Sequence, residues 1–297
     1  MPVKSLNIDL LPVLRKLPFV EKGLLISGTV GGYKSVFKGR GLEFEDYRVY
    51  GADDDSALID WKATARAGKT LIREYIEERN LNVMFLFDVS NSMLFGSTEK
   101  LKIEYAAELI AALSHAILEA GDNVGIVLFT DKIMAKLYPN RGNKQYYAIS
   151  RILKDPKNYG GNLDIEDVSK YILSTFKETA LIILVSDFVG FESNWEKYLE
   201  FMSAKFEMIG VMVKDPRDIS LPEDSGQVVI QDPYSRKQLL IETDIVKKAY
   251  ENLMRKQIRD VKYKFLKLKT DVLELETNKS FVNPLIKFFK KRGSERR

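Results

Sequence analysis

From residue 80 onward, short apolar runs alternate with longer stretches in which apolar residues recur every three or four positions. Runs of about four to eight residues rich in Val, Ile, Leu and Phe predict strands, and the periodic stretches predict amphipathic helices. This alternation is typical of an α/β fold, a doubly wound and mainly parallel sheet with helices on both faces. The predicted strands are residues 82–87, 123–129, 133–138 (an edge strand), 179–185 and 206–213.

The helix between the first two strands has clear signals at both ends. Its apolar periodicity runs from about residue 99 to residue 120, with Thr98 as the candidate N-cap and Gly121 as the candidate stop. Further helices are predicted at residues 144–153, 165–176 and 194–203.

Beyond residue 213, turn residues at 215–218 lead to a predicted hairpin, which we expect to extend the sheet. A long helix follows at 244–262. Its predicted apolar face consists of Ile245, Ala249, Leu253 and Val261. The hairpin strands are predicted at 228–230 and 238–241, a final strand at 272–275, and a closing helix at 282–289.

The first 79 residues form a β-rich extension with β-prone pieces at 24–30 and 33–37. This segment is too short and too interrupted to be trusted as a free-standing domain, so we expect it to pack on the main domain at residues 80–290. Residues 291–297 form a basic tail.

Composition narrows the possible chemistry. The chain has no cysteine, which excludes disulfides and thiolate metal sites, so any metal ion needs oxygen ligands. The apolar runs are too short to span a bilayer and the start lacks the features of a signal peptide, so we predict a cytoplasmic protein. Residues 281–297 hold six basic side chains and one acidic one, a net charge of +5, so the other 280 residues sum to −1 of the total of +4. Nucleic acid is therefore a poor candidate partner.

Polar side chains follow the predicted strands, where ligands collect in open α/β sheets. Asp88, Ser90 and Ser92 follow the first strand, Asp187 follows strand 179–185, and Asn162 ends a Gly-Gly-Asn loop between them. Carboxylate, hydroxyl and amide oxygens are hard donors that suit magnesium or manganese. The alternative is that these residues only cap helices and turns.

The order of these parts resembles the metal-ion-dependent adhesion site of von Willebrand factor A domains. The resemblance implies that Ser90 and Ser92 bind the metal directly, with Asp88 and Asp187 acting largely through water. The threonine that this family places on the second loop falls at Asn162, which is a departure. Such an ion keeps its electrophilic character and recruits a carboxylate from a partner protein.

The segments GRGLEFEDYR at 39–48, GADD at 51–54 and IDWKATAR at 59–66 resemble the hallmark of the domain of unknown function 58 family. The resemblance implies a partnership with a MoxR-type AAA ATPase in chaperone-like assembly or maturation of client proteins. In physical terms, the charged residues of these segments could form ion pairs that fasten the extension to the main domain, with Trp61 as an apolar anchor. The alternative is a partner-binding surface. The charged residues are Arg48, Asp53, Asp54, Asp60 and Arg66.

The sequence therefore predicts a non-enzymatic, metal-dependent protein-interaction module. One alternative is a magnesium-dependent phosphatase-like enzyme with Asp88 as nucleophile, although Ser90 stands where that chemistry wants a second acid. Another is a scaffold with a degenerate site, which Asn162 favours. A serine hydrolase is disfavoured because no Gly-x-Ser-x-Gly elbow accompanies His115, and the glycines at 28–32 lack the Lys-Ser/Thr of a phosphate-binding loop.

Overall fold

A computed structural model of the chain describes residues 6–8, 42–51, 54–77, 81–177, 180–191, 194–223 and 225–295. The chain divides into two compact units: residues 31–80 form one, and residues 1–30 with 81–297 form the other. The β-prone segments predicted at 24–30 and 33–37, the glycines at 28–32, and Asp53 lie outside the described residues.

Strands and helices alternate along the unit that contains residues 81–297, as the hydrophobic pattern predicts. Within the described ranges the strands are β1 (Leu42–Val49), β2 (Leu71–Glu77), β3 (Asn82–Asp88), β4 (Asn123–Phe129), β5 (Ile133–Asn140), β6 (Leu181–Ser186), β7 (Glu207–Lys214), β8 (Gln227–Gln231), β9 (Gln238–Glu242) and β10 (Asp271–Glu276). The α-helices of the same ranges are α1 (Trp61–Ala67), α2 (Lys102–Glu119), α3 (Asn143–Lys154), α4 (Glu166–Thr175), α5 (Trp195–Lys205), α6 (Thr243–Lys267) and α7 (Val282–Glu295).

The central sheet has six strands in the order β10-β7-β6-β3-β4-β5. All neighbours are parallel except β4 and β5. β5 is the edge strand that the sequence predicts, and the structure shows that it runs antiparallel to β4. The carboxyl ends of β3, β6 and β7 therefore lie along one edge of the sheet, which is the edge where ligands bind in such folds.

Helices cover both faces of the sheet, and successive side chains of a strand point to opposite faces, so neighbouring residues of one strand belong to different cores. Phe85 and Phe87 of β3 belong to the core that packs under α2, α3 and α7. Met84 and Leu86 of the same strand belong to the core under α4, α5 and α6. A strand covered on both sides is apolar throughout, which explains the unbroken apolar run of β3.

Helix α2 begins later than the sequence predicts. Thr98 is not its N-cap, because the helix starts at Lys102 and the Thr98 hydroxyl donates to the Lys100 carbonyl oxygen within a bend at residues 97–100. The first turn is instead closed by Glu104, whose carboxylate accepts the Leu101 N–H at 2.9 Å. Gly121 does follow the end of the helix, with a φ of +91° that favours glycine.

The β8–β9 hairpin forms where it is predicted, but it does not extend the central sheet. Its two strands pair only with each other, as a separate two-stranded sheet. The place beside β7 is taken by β10, which pairs with it in parallel. The edge of β7 is therefore occupied by β10 and is closed to the hairpin.

The buried face of α6 differs from the predicted one. Ile245, Ala249 and Leu253 are exposed, and the side chain that is fully buried against the sheet is Phe265. The helix has apolar residues on two adjacent stripes, and only packing against the sheet selects between them. The inward stripe consists of Val246, Tyr250, Met254, Ile258, Val261, Phe265 and Leu268.

Helix α7 reaches beyond the predicted closing helix and into the basic tail. Arg292 is buried there and forms an ion pair with Asp271 at 2.9 Å and another with Glu207. Part of the tail is therefore a structural contact with β7 and β10. In the described ranges, no helix is both sufficiently long and sufficiently apolar to span a bilayer.

In the unit of residues 31–80, β1 and β2 form an antiparallel pair that flanks α1 in sequence. Asp60 organises the unit: one carboxylate oxygen caps α1 through the Lys62 and Ala63 N–H groups, and the other accepts from Tyr47 and Arg73. These hydrogen bonds, led by the one from Ala63, lower the pKa of Asp60 to about 2. Trp61 is 71% exposed, and its role as an apolar anchor of the extension on the main domain stays a prediction.

Arg48 and Asp54 form a bidentate ion pair within the same unit, with nitrogen–oxygen distances of 2.7 and 2.5 Å. The predicted pairing of these charged residues is thus found for Arg48 with Asp54, and Asp60 pairs with Arg73, which the sequence did not suggest.

Candidate functional site

Two carboxylates meet at the carboxyl edge of the central sheet. Asp88 is the last residue of β3 and Asp187 directly follows β6. These strands are hydrogen-bonded neighbours, with Phe87 opposite Val185, so both acids reach the same edge. Asp88, Asp187 and the two serines of the first loop are all buried, and we refer to Asp88, Ser90, Ser92 and Asp187 as the edge cluster.

Asp88 is held by hydrogen bonds to both of its carboxylate oxygens. One accepts the Ser90 N–H at 2.9 Å, and the other accepts the Ser186 hydroxyl at 2.6 Å. Burial and the neighbouring charge of Asp187 raise the pKa of Asp88 to about 7. Ser186 was not singled out from the sequence, although its position directly before Asp187 placed it at this edge.

A chain of hydroxyl contacts joins the two serines to Asp187. Ser90 Oγ lies 3.3 Å from Ser92 Oγ, and the Ser92 hydroxyl donates to Asp187 Oδ1 at 3.0 Å. The same carboxylate oxygen accepts the Val189 N–H at 2.9 Å. The edge cluster is therefore one connected set of oxygen donors.

The second carboxylate oxygen of Asp187 is bound by Lys102, a residue that the sequence analysis missed. The Lys102 ammonium lies 2.6 Å from Asp187 and 2.8 Å from Asp218, and it is buried at the start of α2. Burial alone would raise the pKa of Asp187, but the charges of Lys102 and Lys214 outweigh it and hold this pKa below its ordinary value. A lysine within the apolar pattern of a helix was the only available signal.

Tyr234 covers the two serines from the turn between β8 and β9. Its hydroxyl lies 3.1 Å from Ser90 Oγ and 3.0 Å from Ser92 Oγ, and it donates to the Val189 carbonyl oxygen at 2.9 Å. Burial and the charge of Asp88 raise the pKa of Tyr234, so the hydroxyl is a neutral group. Nothing in the local sequence pointed to this residue.

Asn162 is the one predicted ligand that the structure does not bring to the edge cluster. The Gly-Gly loop meets the first loop through Asn91, which exchanges hydrogen bonds of 3.0 Å with both the N–H and the carbonyl of Gly161. The backbone of Gly161 makes this contact with Asn91, and the side chain of Asn162, the next residue, is exposed. In the described ranges it makes no hydrogen bond to the edge cluster.

A family model matches most of the chain. Residues 46–260 match the model of the family described as Protein of unknown function DUF58. The chain belongs to this family. The match spans the hallmark segment from Asp46, the edge cluster and most of α6.

Other proteins and solved structures are similar to this DUF58 chain. An uncharacterized protein of Mycobacterium tuberculosis (strain ATCC 25618 / H37Rv) is 27% identical over 226 residues, which cover 75% of this chain and 70% of that protein. The crystal structure of BatB from Bacteroides thetaiotaomicron is 16% identical, with a TM-score of 0.48 and coverage of 73% of this chain and all of that one. The SpRpn10 VWA domain is 14% identical, with a TM-score of 0.35 and coverage of 46% and 76%. The sheet order and the two buried faces of the DUF58 chain confirm the predicted fold class, a mainly parallel α/β sheet with helices on both sides.

The donor set of this DUF58 protein suits a small hard cation in its chemistry. It consists of two carboxylates and two serine hydroxyls, the ligands that magnesium and manganese prefer. The described residues contain no group of three or more His, Cys, Asp or Glu side chains that could hold a metal. The four donors of the edge cluster fit such an ion, while Lys102 already holds one oxygen of Asp187 and Tyr234 lies across both serines.

The raised pKa of Asp88 predicts a pH-dependent stability for the DUF58 chain. The native pKa is about 7 against an ordinary value of 3.8, so the native state holds this proton more tightly than the unfolded state. The associated stability is complete below pH 3.8 and is lost as the pH rises through about 7. Between roughly pH 5 and 8, we expect the free energy of unfolding to fall by about 2–3 kcal/mol more in the wild type than in Asp88→Asn.

This difference is measured by urea unfolding at several pH values in the presence of a chelator. Asp167→Asn, at an exposed position of α4, is the matched control and should follow the wild type. Parallel pH profiles for the wild type and Asp88→Asn would contradict the protonation of Asp88 near neutral pH.

Proposed function

We propose that this DUF58 protein is a protein-interaction module that binds a partner through the edge cluster, with a magnesium or manganese ion held there. The observation that supports this proposal is the convergence of Asp88, Ser90, Ser92 and Asp187 into one hydrogen-bonded set at the ligand-binding edge of the sheet. When bound, the ion would supply a Lewis-acidic position for a carboxylate of the partner.

Each side chain has a separate part in this proposal. The hydroxyls of Ser90 and Ser92 would hold the ion directly, and Asp88 and Asp187 would act behind them. The Ser90 N–H fixes the orientation of Asp88, and Lys102 fixes that of Asp187. Such supporting contacts determine how well a site holds its ligands.

We further propose that the module is not an enzyme. A phosphatase-like role would need Asp88 as a nucleophile, but both of its oxygens are engaged and the side chain is fully buried. His115 lies on α2 against the ring of Tyr146, with centroids 5.4 Å apart, and so offers no support for a serine hydrolase. The scaffold alternative, in which the site holds no metal, is supported by the ammonium of Lys102 and by the exposed Asn162.

The partner we propose is a MoxR-type AAA ATPase, acting with this chain in the assembly or maturation of client proteins. Family membership supports this choice, since the DUF58 resemblance carries that association. The cytoplasmic location expected from the sequence stays a prediction.

The proposal is tested by binding of this chain to an immobilised MoxR-type ATPase encoded in the same genome. We expect binding in magnesium. Binding should be roughly 10–100-fold weaker with chelator, which removes the ion, or in Ser90→Ala, which removes one of its ligands. Ser174→Ala, at an exposed position of α4, is the matched control and should bind like the wild type.

Two results would contradict the proposal. Binding that ignores both chelator and Ser90→Ala favours the scaffold. Magnesium-dependent hydrolysis of an aryl phosphate that is lost in Asp88→Ala favours the phosphatase.

A further inference from the structure

The hairpin of residues 227–242 is weakly anchored to the rest of its unit. β8 and β9 pair only with each other, and their apolar side chains Val229, Leu239 and Leu240 are more than half exposed. Among the residues of this hairpin, Tyr234 is the one that packs against the described cores. An isolated two-stranded hairpin is marginally stable by itself, so its position depends largely on that one side chain.

The hydroxyl of Tyr234 occupies a place suited to a ligand oxygen. Together with Ser90 Oγ and Ser92 Oγ it forms a triangle with sides of 3.0, 3.1 and 3.3 Å. Neighbouring oxygens in an octahedral shell with metal–oxygen distances of about 2.1 Å lie about 3 Å apart. A partner oxygen that joined the two serines in such a shell would take the position that Tyr234 fills.

We propose that the β8–β9 hairpin is a displaceable lid and that Tyr234 is an internal stand-in for the oxygen ligand of a partner. The closed lid places the Tyr234 hydroxyl against both serine hydroxyls and shields them, and a partner gains the edge cluster only by displacing Tyr234. This inference rests on the proposed function, because it concerns the regulation of the same site.

The absence of a side chain at Gly190 leaves room for the ring of Tyr234. It has a φ of +85°, and a Cβ atom built on it would lie 2.2 Å from Cε2 and 2.7 Å from Cζ of Tyr234. The ring of Tyr234 therefore rests on bare backbone next to Val189, whose carbonyl oxygen binds its hydroxyl. Gly190→Ala should displace the ring and open the lid without altering any residue of the edge cluster or Tyr234 itself.

Because the chain has no cysteine, Ser92→Cys provides a single thiol beneath the lid. The probe is the rate of modification of this thiol by a soluble aromatic disulfide reagent, in the full chain with chelator present. Reactivity of a covered group scales with the fraction of molecules that are open, so we expect Gly190→Ala or Tyr234→Ala to raise the rate by roughly tenfold or more.

Gly142→Ala is the matched control for backbone strain. Gly142 has a φ of +83°, nearly that of Gly190, and nothing lies within 4 Å of the Cβ position. This variant should leave the labelling rate unchanged. Circular dichroism spectra and thermal midpoints of all variants show whether faster labelling comes from opening of the lid or from loss of the fold.

Equal labelling rates in the Ser92→Cys protein with and without Gly190→Ala and Tyr234→Ala would overturn the lid. Manganese binding, followed by electron paramagnetic resonance in the wild type and Ser90→Ala, tests the proposed metal role separately. Faster labelling without manganese binding supports the lid and defeats the metal role. Manganese binding that Ser90→Ala abolishes, with unchanged labelling, defeats the lid and leaves the metal role standing.

Discussion

Lys102→Met should lower the free energy of unfolding by about 3–5 kcal/mol, since it leaves two carboxylates at a buried site without their shared cation. The Lys102 ammonium is within hydrogen-bonding distance of both Asp187 and Asp218, and only 2% of its side chain is exposed. Burial by itself would lower the pKa of Lys102, but these two carboxylates raise it above its ordinary value. The lysine is therefore charged in the native state, and the loss is measured by urea unfolding followed by circular dichroism.

The control for Lys102→Met is Lys170→Met, which removes the exposed ion pair between Lys170 and Glu166 on α4. A solvent-exposed pair of this kind contributes about 0.5 kcal/mol or less. Similar effects of the two substitutions would show that Asp187 does not depend on Lys102. Under the proposed function, manganese should stabilise Lys102→Met more than the wild type, because a divalent ion can replace the missing positive charge.

Phe265→Ala should destabilise the protein by about 3–5 kcal/mol, the usual cost of removing a large aromatic side chain from a core. Phe265 is 1% exposed and packs against Phe188 and Trp195, with ring centroids 5.4 and 6.2 Å away. It also fills the space above Gly210, where a Cβ atom would lie 2.7 Å from its ring. Urea unfolding measures the loss, and hydrogen exchange along α6 shows whether the helix detaches first.

Tyr263→Ala is the matched control, because it removes an aromatic ring from the same helix at a position that is 67% exposed. We expect its effect to stay within about 0.5 kcal/mol. If the two substitutions destabilise the protein equally, the helix is held by its general contacts and Phe265 has no special part in anchoring it.

The apolar pattern was sufficient to locate the strands of the central sheet, although not their order. Runs such as that of β3 are unbroken because both faces of the sheet are covered, and a run bounded by polar residues leaves little choice of strand position. The edge strand β5 was predicted as well, and its alternation of exposed and half-buried positions is that of a strand at the margin of the sheet. Element ends were less certain: α2 starts after Leu101 and not at Thr98, because Ser97 is tied to Asp215, which is 118 residues away in sequence.

The face of α6 shows where a local pattern fails. Ile245 and Leu253 are as apolar as Ile258 and Val261, so periodicity alone supports two stripes. The choice was made by the shape of the sheet, where Gly210 leaves room for the ring of Phe265. The β8–β9 hairpin was likewise visible as a hairpin, but its separation from the sheet depended on β10, which arrives later in the chain.

The sequence by itself determined that two acids and two serines follow two predicted strands, because strand ends and the loops after them are encoded locally. The sheet topology decided that these two strands, β3 and β6, are neighbours. Only the tertiary structure decided what surrounds them. Lys102 is 85 residues from Asp187, and Tyr234 is 144 residues from Ser90, so no local signal joins these pairs. Their contacts arise because a buried carboxylate needs a counter-charge and buried hydroxyls need hydrogen-bond partners, and packing alone determines which distant side chains meet those needs.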